Sequence, residues 1–205
     1  SLKFESSSAE FISAVFSFFS EEASAAAGQR LAKRPVVSEA DMVSRLQFAV
    51  KSKDENLLHA LFQQTRVEQT PLIHLLLNQD PVLLTNYLQL HPEEINARNA
   101  QGETALTIAI HHELLRRTSI LLSNHPDLFL ENSPSPFVLA VNKSDILLML
   151  YDAVCSNPQS KAKFIHFLQT ADLSVKKAIH DIAEEIHDDA IIAVTQTQSK
   201  RKPSP

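Results

Sequence analysis

Apolar residues recur at helical spacing along most of the chain, and strand-like alternation is scarce. Phe11, Val15, Phe18 and Phe19 stand at i, i+4, i+7 and i+8, one face of a helix. Ser7-Ser8-Ala9-Glu10 has the form of a capping box and Gly28 is a stop signal, so a helix is predicted over Ala9–Ala27. Gln29–Val37 then reads as a linker. Ser38, with Asp41 three residues on, caps a second predicted helix carrying Val43, Leu46, Ala49 and Val50. Asp54 opens a third, with Leu57, Leu58, Leu61 and Phe62 on its inner side.

Beyond residue 70, proline punctuates the pattern. Thr70-Pro71, Asp80-Pro81, Ser135-Pro136 and Asn157-Pro158 each set a capping residue directly before a proline. That is an N-cap followed by the first helical position, where a missing N–H costs nothing. These starts divide the middle of the chain into short helices joined by turns. The last predicted helix, Ser174–Val194, carries Val175, Ala178, Ile179, Ile182, Ala183 and Ile186 on one side, and Thr195–Pro205 reads as a disordered tail.

Self-similarity adds a level of organisation. Thr70 recurs as Thr104, Leu72 as Leu106, Leu88 as Leu122, His91 as His125 and Pro92 as Pro126, every pair 34 residues apart. A third copy is shifted: Ser135-Pro136-Phe137-Val138-Leu139-Ala140 follows Thr104-Ala105-Leu106-Thr107-Ile108-Ala109 after 31 residues. Two short helices cannot bury their apolar faces alone, whereas stacked neighbours make a continuous core. A period of about 33 or 34 is shared by ankyrin and tetratricopeptide repeats.

Composition narrows the choice of function more than of fold. Only Gly28 and Gly102 are glycines, so no Rossmann turn, P-loop or nucleophile elbow can be drawn. Glycine-poor chains also disfavour hairpin-rich β folds, which leaves an all-α protein. The formal net charge of −5, with only small basic clusters, argues against a nucleic-acid partner. A single cysteine, Cys155, excludes an internal disulfide and a multi-cysteine zinc site. The Phe11–Phe19 stretch is far short of the roughly 20 apolar residues that span a bilayer, so no membrane span is expected.

The run Ile95-Asn96-Ala97-Arg98-Asn99-Ala100-Gln101-Gly102-Glu103-Thr104-Ala105-Leu106-Thr107-Ile108-Ala109-Ile110 resembles the ankyrin junction. There, a hairpin with glycine at its tip leads into a Thr-Pro-Leu-His helix. Thr70-Pro71-Leu72-Ile73-His74-Leu75 is similar to the same helix start, with Ile73 in the family's histidine position. The tetratricopeptide pattern needs tryptophan, and the chain has none. The resemblance is specific over 68–142, weaker over 38–67 and 143–170, and absent at both ends. The glycine that ends the first helix in the family is replaced by Gln79 and Glu113, and only 95–104 has the length and glycine for a full hairpin finger.

What the resemblance implies is an ankyrin-type α-solenoid of three to four helix-pair repeats with helical additions at both ends. Its parts would be an N-terminal helix and linker over 1–37, the array with a capping helix over 38–194, and a tail over 195–205. Such an array binds another protein through its inner helices and fingers, with no cofactor, metal or catalytic residue. Counting four, seven and eight positions from caps at Thr70, Thr104 and Ser135 gives the groove-facing set. It comprises His74, Leu77 and Asn78, then Ile108, His111 and His112, then Leu139, Asn142 and Lys143, with Arg98, Asn99 and Gln101 on the finger. An acidic patch shortly before a polar C-terminus also resembles effectors that intracellular bacteria secrete into host cells. The expected location is therefore cytoplasmic, or the host cytosol for an effector.

Other chemistry has plainer readings. His180, Glu184 and His187 have metal-ligand spacing, but the apolar seam through Ile179, Ile182 and Ile186 leaves them on a solvated face. Cys155 reads as a buried inert thiol rather than a nucleophile, and Glu184-Glu185 and Asp188-Asp189 as a charged helix face. The alternative to a binding module is an all-α enzyme or effector domain whose active site follows no recognisable motif.

Overall fold

The computed structural model describes residues 36–64, 66–67 and 70–196. The predicted helix Ala9–Ala27, its stop at Gly28 and most of the linker lie outside them. The chain divides between Glu68 and Gln69 into two compact units.

In the first unit, Ser38 accepts a hydrogen bond from the Asp41 backbone N–H and caps α1, Glu39–Ser52, as the sequence predicts. Lys53 closes α1 in the left-handed region, and α2, Glu55–Gln64, follows at once. Asp54 accepts from the Leu57 N–H at its start. Met42, Leu46 and Ala49 of α1 and Leu57, Leu61 and Phe62 of α2 are buried. The end of the predicted linker is not free chain: β1, Val36–Val37, pairs in parallel with β2, Arg66–Val67.

The second unit is built from helix pairs. The helices α3 (Leu72–Leu76), α5 (Ala105–His111) and α7 (Pro136–Ala140) are short. Each pairs with a longer follower: α4 (Pro81–Leu90), α6 (Leu115–Ser123) and α8 (Ser144–Cys155). Neighbouring pairs stack short helix on short helix, α3 with α5 and α5 with α7, and long on long, α4 with α6 and α6 with α8. Leu72, Leu88, Leu106 and Leu122, the leucines related by the 34-residue spacing, are all buried. Burying each relative to water is worth roughly 1.5–3 kcal/mol, which is why no single pair suffices.

Proline caps fall where predicted at three of four sites. Asp80 and Asn157 accept backbone N–H bonds ahead of Pro81 and Pro158, and Ser135 is the N-cap ahead of Pro136. At the fourth, the N-cap is Pro71 rather than Thr70, one residue later.

The C-terminal part differs from its prediction. The single helix expected over Ser174–Val194 is two, α10 (Leu173–Ile186) and α11 (Asp189–Gln196), packed on one another. His187 breaks them with φ of +61°, a left-handed residue that is not glycine and so leaves no sequence signal. Because α11 runs to Gln196, the first two residues of the predicted tail are helical; 197–205 lie outside the described residues. Between the array and these helices, α9 (Pro158–Thr170) packs on α8 and α11.

Candidate functional site

The finger predicted over 95–104 is formed. A 3-10 turn, Pro92–Asn96, buries Ile95 and delivers the chain to an antiparallel bridge between Arg98 and Thr104. Asn99 builds the turn: its Oδ1 accepts from the N–H groups of Gln101 and Glu103 at 3.0 and 2.9 Å, and its Nδ2 donates to Glu103. Gly102 sits at φ of +79°, and an added Cβ would stand 3.3 Å from the Asn132 carbonyl oxygen. Thr104 then caps α5 in a reciprocal box with Thr107, both buried. Threonine at this third position does the work usually given to Glu or Gln.

The finger is tied to the loop one repeat later. The Arg98 guanidinium donates to the Glu131 carbonyl at 2.6 Å, and Asn96 accepts from the Asp127 N–H at 2.9 Å. Asn99, read from the sequence as a partner contact, thus spends its polar groups within the finger, and Arg98, though exposed, is tied to the next loop. Gln101 presents its side chain from the exposed tip.

Of the groove-facing set, the structure moves two residues inside. His74 and Leu77 are buried, Leu77 with 2% of its surface exposed. The cause is the later start of α3: a helix turns about 100° per residue, so counting from Thr70 instead of Pro71 selects the wrong face. Counting from Pro71 gives Leu75, Asn78 and Gln79, none of them buried. His74 instead donates from Nε2 to the Ala97 carbonyl at 3.1 Å, joining α3 to the base of the finger. Burial pushes its pKa down, against the pull of that hydrogen bond, so the ring is neutral.

The other two helices start where predicted, and their residues fall as a set. Ile108 and Leu139 are half-buried, while His111, His112 and Asn142 are exposed. The His111 and His112 rings meet edge to face with centroids 5.1 Å apart. Lys143 is committed: its ammonium donates to the carbonyls of Ile110 and His111 at 2.8 and 3.1 Å, capping the end of α5. Arg117 reaches back one pair in the same way, donating to the Gln79 carbonyl in the turn between α3 and α4 at 2.7 Å. These cation-to-carbonyl ties complement helix ends that lack intrahelical donors. The side chains left available are Asn78, Gln101, His111, His112 and Asn142.

A second polar cluster was not anticipated. Asp188 is no surface carboxylate: it accepts from Lys161 at 2.6 Å and from Tyr151 at 3.0 Å, with the Cys155 sulfur 4.0 Å away. Burial alone would raise its pKa, but the hydrogen bonds from Lys161 and Tyr151 prevail and hold it below the usual carboxylate range. Burial pushes the Cys155 thiol up, so it stays protonated and unreactive at neutral pH. The cluster fastens the α10–α11 turn to α8 and α9.

His180, predicted on a solvated face, is turned partly toward α11. Its Nδ1 lies 2.8 Å from Thr195 Oγ1 and its Nε2 3.1 Å from Glu184. His187 Nδ1 lies 2.8 Å from the Glu184 carbonyl. Among the described residues no three His, Cys, Asp or Glu side chains are grouped to hold a metal ion, and no helix is long and apolar enough to cross a membrane. No family model, curated protein or solved structure matches the chain.

Proposed function

We propose that residues 70–196 form a divergent ankyrin-type array of three helix pairs with a helical cap, and that it binds another protein. The observation that carries the reading is positional. Asn78, His111, His112 and Asn142 stand at corresponding places beyond the caps of α3, α5 and α7, beside the partly covered Leu75, Ile108 and Leu139. An apolar centre with a polar rim is the anatomy of a protein interface. The formed finger, with Gly102 at positive φ, supports the ankyrin resemblance, and Gln101 at its tip extends the same surface.

The test is affinity capture from cell lysates, with the full chain and its His112→Glu variant as baits. Host-cell lysates are included because the chain also resembles secreted effectors. His112 is exposed, so the variant keeps its melting temperature. Recovery of the specific partner is expected to fall with a loss of about 1–2 kcal/mol in affinity, the scale of an interface hot spot. Equal recovery by both baits would overturn the assignment of this surface.

A further inference from the structure

The finger is held from two sides. Toward the next repeat, Arg98 donates to the Glu131 carbonyl and Asn96 accepts from the Asp127 N–H, and neither tie involves a histidine. Toward the preceding repeat, His74 of α3 donates from Nε2 to the carbonyl of Ala97, the residue that ends the 3-10 turn and opens the finger. A carbonyl only accepts, so the proton of the neutral ring is on Nε2 and Nδ1 carries a lone pair. His74 keeps 6% of its surface exposed, and its Nδ1 is sealed from solvent with no hydrogen-bond partner.

This junction suits one protonation state. A second proton turns Nδ1 into a donor with nothing to receive it and places a positive charge in the interior. The ionisable groups nearby do not relieve this. Glu94 of the 3-10 turn accepts from Tyr87 of α4 at 2.6 Å, and Glu103 of the finger accepts from Asn99 at 2.9 Å. Both attract an imidazolium from a distance, but neither bonds Nδ1, and burial outweighs them. His91, which follows α4, lies against the Tyr87 ring with centroids 5.0 Å apart, and Ala105–Ile110 of α5 carries no ionisable side chain. A charged ring regains hydration only by leaving the junction, which breaks its bond to Ala97.

We propose that His74 is a pH-dependent catch on the finger: neutral, it fastens Ala97 to α3, and protonated, it lets go. The finger then loosens on its α3 side while its ties to the Asp127–Glu131 loop persist. Burial makes the folded ring bind a proton more weakly than the unfolded one. The catch is therefore complete above the ordinary histidine value of about 6.5 and weakens as the pH falls below it. Histidine is the side chain whose charge ordinarily changes in this range, so mild acid is the signal that the junction reads. The inference concerns the finger itself and does not rest on the partner-binding reading.

The test places a nitroxide label on Gln101→Cys in the full chain, with Cys155→Ser so that a single thiol is labelled. Electron paramagnetic resonance then reports the motion of the exposed tip. With His74 in place, the mobile fraction of the spectrum is expected at least to double, reversibly, between about pH 7.5 and about pH 5, with its midpoint below about 6.5. His74→Gln, whose amide nitrogen replaces Nε2 as donor and does not titrate, is expected to keep the tip held throughout. His74→Phe, which has no donor, is expected to leave it mobile throughout. An unchanged spectrum across this range with His74 in place would overturn the proposal, whether or not either variant folds. So would the same pH response in His74→Gln, or a tip held at both pH values in His74→Phe.

Discussion

At the scale of single residues, two positive-φ positions are filled in opposite ways. Gly102 at φ of +79° is the only residue type that fits its turn without strain, and the Asn132 carbonyl leaves little room for a side chain. Glu113, which ends α5 at φ of +55°, stands where the ankyrin pattern that the chain resembles in sequence has glycine, and carries the cost of a left-handed side-chain residue. Gly102→Val is therefore expected to destabilise by more than about 1 kcal/mol, and Glu113→Gly to stabilise by up to about 1 kcal/mol. Urea denaturation of both variants checks the signs. A neutral Gly102→Val would mean that the finger contributes nothing to folding. His74 and Leu77 show the limit of counting along a sequence: a cap displaced by one residue turned two expected contacts into core. Thr70-Pro71 has the same cap-then-proline form as its three counterparts, and only the backbone of α3 shows that Pro71 is the cap.

At the scale of elements, the boundaries that a local signal encodes were legible. Ser38, Asp80, Ser135 and Asn157 cap helices as their sequence context indicates, and the 34-residue spacing picked out four buried leucines. What was missed joins residues far apart in sequence. Arg117 reaches Gln79, Lys143 reaches Ile110, and Asp188 holds Lys161 and Tyr151; none of these spacings has a pattern. The Asp188 tie makes a pH prediction. Its carboxyl binds a proton more weakly folded than unfolded. Its contribution is therefore complete above the ordinary Asp value of about 3.9 and drains away as the pH falls below it. Asp188→Asn is expected to cost about 1–2 kcal/mol at pH 7, since one partner is partly exposed, and to flatten the loss of stability on acidification below about pH 4. Identical acid limbs in the two proteins would remove Asp188 from the account.

At the scale of the molecule, the all-α class followed from the helical spacing and the scarcity of glycine, and the stacked pairs of 70–155 followed from the repeat. The placement of α9 was not legible, because the repeat stops there and a helix of different spacing takes the next place. We propose that a partner protein lies on the short-helix surface. Hydrogen–deuterium exchange of the full chain, alone and saturated with the partner recovered by capture, tests it most directly. Slowed exchange is predicted around Asn78, at 100–102 of the finger, and through His111–Glu113 and Asn142. The converse result, protection confined to the long helices α4, α6 and α8 with those segments unchanged, would contradict it.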